Sequence, residues 1–293
     1  MSSPSLAARR SAFADYLDLT KPRITLLVVF TTLVGFAVAA PRGTGRASLA
    51  ATLLGTGLVA AGASALNMLL ERRTDALMHR TRERPLAAGR LRPADGLLFG
   101  LLLTLAGVVL LAWRGGTLAA GVACLTWASY LFLYTPLKTR SSLATLVGAL
   151  PGALPPVIGW TAARESLDAG AFVLFAIVFL WQIPHFLAIA WIYREDYARG
   201  GLPMLPVLDP EGRMTGRQAV ANSLALLFVS LTPTAAGMAG ALYLAGAVLL
   251  GLGLVGVAVR AAVVRTLEAA RALFLASVLY LAALCALLLL DRA

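Results

Sequence analysis

Charge is what this chain has least of. Asp, Glu, Lys and Arg together make up 13% of its 293 residues, and only 14 are acidic. With 59% hydrophobic residues and a mean hydropathy of +0.82, an ordinary soluble domain is excluded and a polytopic membrane protein is expected. Cysteine is scarcer still. Cys124 and Cys285 fall in separate apolar runs, which leaves no disulfide framework and no cysteine metal site; both are expected to be small packing residues. No apolar run alternates with period two between turn signals, so a transmembrane β-barrel is not expected either.

What the chain does have is nine apolar runs long enough to span a bilayer, at roughly 24–41, 47–70, 95–113, 117–134, 143–163, 170–192, 217–237, 239–259 and 271–290. The expected fold is therefore all-α, with nine transmembrane helices in one membrane domain, 24–290, behind a cytoplasmic N-terminal segment, 1–23. That segment is polar, unlike a cleaved signal peptide. With the N-terminus inside, all 25 basic residues except Arg42, Arg46, Arg114, Arg164 and Arg292 lie on the cytoplasmic side. This positive-inside bias fits an N-in, C-out topology. The net charge of +11 is then topological and no sign of nucleic-acid binding. Anionic headgroups and anionic substrates are its natural partners.

Two cytoplasmic connections are long, 71–94 and 193–216, and follow spans two and six. Each begins with carboxylates (Glu71 and Asp75; Glu195 and Asp196) and runs through basic residues into a segment rich in Gly and Pro. This is the pattern of a degenerate internal repeat and predicts a single cytoplasmic pocket between the loops. Span five carries Pro151, Pro155 and Pro156 with Gly148, Gly152 and Gly159. Two readings stand side by side, close helix packing through small residues and a kinked wall of a ligand cavity.

The densest functional signal is 67–86, NMLLERRTDALMHRTRERPL. Asn67, Glu71 and Asp75 are four residues apart and share one helix face, drifting only about 40° per step. Two carboxylates and an amide can hold a divalent cation through oxygen, Mg²⁺ in particular when a phosphate completes its shell. The bland alternative is a charged face paired to nearby arginines. Asn67 weighs against it, because an amide inside an apolar span is costly without a purpose. Tyr134 and Lys138, four apart, can reach a diphosphate oxygen together, while Lys138 also suits a positive-inside anchor. Lys21 and Arg23 either snorkel to lipid phosphates or face the pocket. His185 lies about 15 Å deeper in the membrane than Glu195; it is either a hydrogen-bonded structural imidazole or an axial ligand of an iron porphyrin. His79 is expected to be solvated, and Asp15, Asp18, Glu268 and Asp291 to serve at helix ends.

The stretches LTKPRI (19–24), 67–90, YTPLK (134–138), LVGALPGALPPVIGW (146–160) and WQIPHFLAIAWIYREDYARGGLPMLPV (181–207) resemble, in order, the motifs of the UbiA superfamily of intramembrane prenyltransferases. WQIPHF with YREDY resembles its haem branch. The resemblance implies a nine-helix bundle with a central cavity opening to the cytoplasm, in a bacterial-type inner membrane. It further implies farnesyl transfer from farnesyl diphosphate to a vinyl group of haem B, with water addition. Asn67, Glu71 and Asp75 would hold Mg²⁺ as the only cofactor. Arg80, Arg84, Lys138 and Arg140 would neutralise the diphosphate, helped by Tyr134, Lys21 and Arg23, and His185 would contact haem. A haem A synthase or terminal-oxidase assembly partner is also implied. Where quinone-type relatives carry a second Asp-x-x-x-Asp, this chain has Tyr193 and Tyr197 at its ends. Glu195 and Asp196 are left either to bind one metal or to pair with Arg80 or Arg84. The rival readings are a prenyltransferase of aromatic or quinone precursors, a transporter of an anionic substrate, and a non-catalytic haem-binding assembly factor.

Overall fold

The computed structural model describes residues 11–40 and 46–292. Arg9, Arg10, Arg42 and the side chain of Arg46, which enter the charge argument, lie outside the described residues. Among these, regular structure is helical throughout, with one isolated bridge between Ala239 and Arg292. A short helix, α1 (Ala12–Leu19), is capped by Ser11, whose Oγ accepts from the Ala14 N–H at 3.2 Å. It leads through Lys21, in the left-handed region at φ +46°, into α2 (Pro22–Ala39). Proline at the first helical position is pre-organised there, since its missing N–H would be unpaired in any case.

The chain continues as α3 (Arg46–Asp75), α4 (Pro93–Arg114) and α5 (Thr117–Ala128), which passes through a π-helical turn (Ser129–Tyr134) into α6 (Thr135–Leu137). Next come α7 (Ala144–Ala153), α8 (Pro155–Arg164), α9 (Ala169–Ile192), α10 (Arg194–Arg199), α11 (Leu205–Leu208), α12 (Arg213–Val229), α13 (Thr232–Ala235), α14 (Ala241–Val264) and α15 (Leu267–Leu290). Among the described residues, nine stretches are long and apolar enough to cross a membrane, matching the nine expected runs. This is a multi-pass integral membrane protein.

Small residues decide which helices touch, because in lipid association rests on close packing rather than on water exclusion. A Cβ at Gly35 would collide with the Pro156 backbone, and one at Gly159 with that of Thr32, so α2 and α8 meet backbone to backbone. Gly62 and Gly107 do the same for α3 against α4. Every residue of α8 from Pro155 to Ala162 is buried, placing it at the centre. The other face of α4 leaves Leu98, Leu102 and Leu105 exposed, as a lipid-facing surface requires.

The structure corrects several expectations. The connection drawn at 71–94 begins later, because α3 carries its helix through Asp75 and so places the whole acidic stripe on one rigid element. The connection at 193–216 is largely helical, holding α10, α11 and the start of α12. Asp15 does sit at a helix end, in the first turn of α1, but it is 4% exposed rather than solvated and is ion-paired at 3.0 Å with Arg90. Asp291 accepts from the Tyr243 N–H at 2.7 Å, tying the end of α15 to the start of α14. Cys285 is buried as expected, whereas Cys124 is exposed.

Candidate active site

The stripe on α3 sits at the end of the bundle that carries the two long connections. Asn67, Glu71 and Asp75 are 1%, 8% and 1% exposed, far too buried for an ordinary charged face. Each has its own basic partner, brought from a different part of the chain. Lys21 Nζ donates to Asn67 Oδ1 at 2.7 Å. Lys138 Nζ donates to both oxygens of Glu71 at 3.0 and 3.2 Å. Arg84 Nη1 donates to both oxygens of Asp75 at 2.8 and 2.7 Å. The left-handed turn at Lys21 directs the chain so that an N-terminal lysine reaches a helix 46 residues further on.

The charges respond to this enclosure. Burial, with the Arg84 guanidinium beside it, pushes the Lys21 ammonium down to about 7. Burial also opposes the charge on Lys138, but Tyr134 and the Glu71 carboxylate outweigh it and hold its pKa above the usual lysine range. Lys138 and Arg84 balance the two carboxylates, and Lys21 adds positive charge in its protonated form, which suits a polyanion. The oxygen-only donor set of Asn67, Glu71 and Asp75 fits a hard divalent cation. It is also incomplete for one, so an anionic ligand would have to supply the remaining oxygens.

The span that delivers Lys138 is locally rewound. The Thr135 N–H bonds to the Tyr130 carbonyl, five residues back, which is the π-helical pattern. π-Turns of this kind recur at functional sites. Here the turn stacks the Tyr130 and Tyr134 rings with centroids 5.6 Å apart and turns both into a cavity. It is also tied to the stripe, because Asn67 Nδ2 donates to Thr135 Oγ1 at 3.1 Å.

That cavity, of about 340 Å³, lies inside the bundle and meets α3 at Ala63 and Ser64, one turn before Asn67, without the stripe itself lining it. It is overwhelmingly apolar, walled by α2, α3, the π-turn, the α7–α8 break and α9. Gly148, Pro151, Gly152 and Pro155 form one wall, so span five is indeed a kinked cavity wall, while its Gly159 serves close packing. Trp127, Trp181, Gln182, His185 and Phe186 line it more deeply.

His185 is held by two rings and one hydroxyl. Trp181 stacks on its ring at 4.8 Å and Phe274 packs at 5.0 Å. Its Nδ1 lies 2.8 Å from Ser277 Oγ, which in turn donates to the Phe274 carbonyl at 2.6 Å.

The second acidic pair divides. Glu195 is exposed. Asp196 is 6% exposed and accepts from the backbone N–H groups of His79 and Arg80 at 3.1 and 3.0 Å, with Arg199 on the same carboxylate. It pairs with Arg80, as one expectation had it, but through the backbone. The Arg80 guanidinium lies over the rings of Tyr193 and Tyr197, at 5.0 and 5.8 Å. The departure at Tyr193 and Tyr197 thus has a structural content: the two connections are clasped together by one carboxylate and two aromatic rings. Arg23 and Arg140 are exposed and not brought to the stripe, and His79 is exposed as expected.

The clasp makes a pH prediction. Burial works against the Asp196 charge, but Arg199 and the two backbone N–H groups hold its pKa below the usual carboxylate range. A carboxylate lowered on folding adds stability above its unfolded pKa and loses it as pH falls through the folded one. The melting-temperature difference between wild type and Asp196→Asn should therefore be largest near neutrality and shrink from about pH 5 to about pH 2. A difference independent of pH would contradict the clasp.

The sequence profile of the UbiA prenyltransferase family matches residues 28–284. The chain belongs to the UbiA prenyltransferase family. Within reach of that family, a protohaem IX farnesyltransferase from Solibacter usitatus (strain Ellin6076) is 51% identical over 288 residues, 95% of this chain and 98% of that one. A second, from Koribacter versatilis (strain Ellin345), is 43% identical over 292 residues, 96% of this chain and 94% of that one. The fold is similar to that of a UbiA homologue from Archaeoglobus fulgidus bound to GPP and Mg²⁺, with a TM-score of 0.64 at 15% identity, covering 94% of this chain and 99% of the other. Thr135 and Trp181 stand inside the YTPLK and WQIPHF stretches, which carried a signal for both, whereas Tyr130 and Ser277 lie outside the motifs. Ser277 had no signal, since a serine in an apolar span is an ordinary packing residue.

Proposed function

We propose that this protein transfers a farnesyl group from farnesyl diphosphate to a vinyl group of haem B, with addition of water, releasing diphosphate and forming haem O. The observation that carries the reading is the buried stripe with its three basic partners, tied by the Asn67–Thr135 bond to the chain beside Tyr134, which lines an apolar cavity together with His185. The 51% identity to a protohaem IX farnesyltransferase supports the choice of acceptor.

In this reading Asn67, Glu71 and Asp75 hold Mg²⁺, which supplies charge neutralisation to the leaving diphosphate when bound. Lys21, Lys138 and Arg84 are placed to transfer their contacts from the stripe to the diphosphate oxygens, where negative charge grows as the C–O bond breaks. Arg80 contributes from its seat on Tyr193 and Tyr197. Cleavage leaves an allylic cation, which the vinyl group attacks; water then adds to the resulting porphyrin-stabilised cation and releases a proton. No side chain is assigned as base. The cavity's apolar walls shelter the farnesyl cation from premature water, which would yield farnesol. His185 is the residue that would contact the haem.

The loop-bearing end faces the cytoplasm of a bacterial inner membrane, with residues 24–290 acting as one prenyltransferase domain. A haem A synthase or terminal oxidase is the expected consumer of the product.

The test is mass spectrometry of haems extracted from cells with and without this protein. Haem O appearing only with it is the expected result. A labelled farnesyl group found on an aromatic or quinone precursor instead would replace the acceptor, and farnesyl diphosphate left intact would end the enzymatic reading.

A further inference from the structure

Ser277 belongs to none of the chemistry so far described, yet it is fully buried where span nine meets the deep end of the cavity. Its hydroxyl has a single proton and two close neighbours. One, the Phe274 carbonyl at 2.6 Å, can only accept. The other, His185 Nδ1 at 2.8 Å, must therefore donate. The proton of a neutral His185 then resides on Nδ1 and the lone pair on Nε2. No described residue bonds to Nε2, and the ring lines the cavity.

The ring is fixed against flipping as well. Trp181 stacks on it, and the same indole donates from Nε1 to the Ser277 carbonyl at 2.6 Å. Phe274 packs against it from α15. Ser277 thus binds both ends of one assembly, through its Oγ to the imidazole and through its carbonyl to the tryptophan. A metal-binding imidazole is commonly oriented in this way, by a partner on its other nitrogen that selects the tautomer and the direction of the free lone pair.

We infer that Ser277 is a positioning residue for the haem substrate, holding His185 in the Nδ1–H form with Nε2 presented to the iron. The inference rests on the reading of this cavity as the haem site. Its consequence is orientational. An iron held at a fixed nitrogen lets the porphyrin turn about one axis only, so a vinyl edge can be brought under the diphosphate mouth without a dedicated propionate clamp.

The experiment is a titration of the purified full-length protein in nanodiscs with haem b, read by its Soret band and by electron paramagnetic resonance. Binding of farnesyl diphosphate and the melting temperature are measured alongside. Wild type should show imidazole-ligated haem, and His185→Ala should lose that signature. Ser277→Ala should bind haem b about tenfold more weakly with an altered ligand field, and Ser277→Thr, which keeps a hydroxyl, should restore both. Farnesyl diphosphate binding should stay unchanged in the two Ser277 variants, whose side chain does not line the cavity. If His185→Ala leaves the spectrum as it was, the haem-contact reading itself fails. If His185→Ala abolishes the signature while Ser277→Ala matches wild type, the positioning role is overturned and the haem contact stands. Loss of farnesyl diphosphate binding in Ser277→Ala, or failure of Ser277→Thr to rescue, would reduce Ser277 to a packing residue and also overturn the inference.

Discussion

Asp75→Asn is expected to lower Mg²⁺-dependent release of diphosphate from farnesyl diphosphate by on the order of 10³-fold, with haem b binding unchanged. The substitution is nearly isosteric, and Asp75 is 1% exposed on a helix that it does not terminate alone, so gross misfolding is not the expected cause. What disappears is one unit of negative charge that both fixes the Arg84 fork and offers oxygens to the cation. An amide presents one weak oxygen in place of two charged ones, and a hard divalent ion discriminates strongly between them. The separation between the two readouts follows from placement, since His185 lines the cavity from α9 whereas Asp75, at the end of α3, does not line it. The matched control is Glu195→Gln, whose exposed carboxylate should tolerate the change with little effect. Normal turnover in Asp75→Asn would sink the metal assignment. Equal loss in both variants would say that total charge at this end, and not the stripe, governs the reaction.

Lys138→Met is expected to be harmful twice over. The Lys138 and Glu71 side chains are 13% and 9% exposed, so removing the ammonium strands a nearly buried carboxylate. Breaking such a pair from one side costs about 3–5 kcal/mol, and the remaining exposure of Lys138 places this case toward the lower end. Activity should fall as well, by about 10²–10³-fold, because the same ammonium is the cation closest to Tyr134 and the cavity mouth. The two effects can be separated. In the double variant Lys138→Met, Glu71→Gln the stranded charge is gone, and most of the lost melting temperature should return while activity does not. If the double variant regained activity together with stability, Lys138 would be a structural counter-ion only. If the single variant kept wild-type stability, Glu71 would have to be finding another partner.

The fold was legible because in a membrane the sequence must declare each helix by length and apolarity, and nothing in the chain competes with that signal. The break in span five was legible for the same reason, as three prolines have few other uses there. The stripe was legible because a four-residue spacing on a helix is a statement about one face. The clasp at Asp196 was half legible. Composition showed an acid facing a basic loop, but backbone N–H groups carry no sequence signature, and they turned out to be the partners. Asp15 was misjudged for a similar reason, since its partner Arg90 is 75 residues away on another element. The π-turn was not legible at all. An inserted residue in a helix changes which side chains share a face without changing which residues are present.

By itself, then, the sequence determined the number of spans, the charged end of the bundle, and the face of α3 that carries Asn67, Glu71 and Asp75. These depend on local periodicity and on transfer energies, which act on each segment alone. Only the tertiary structure decided that Lys21, Lys138 and Arg84 each take one member of the stripe, and that Tyr130 joins Tyr134 in the cavity. It also decided that Ser277 sits against His185 Nδ1. Those pairings are set by which helices approach closely. In a bilayer that choice follows from the fit of small residues and backbone surfaces between distant segments, information that no single segment carries.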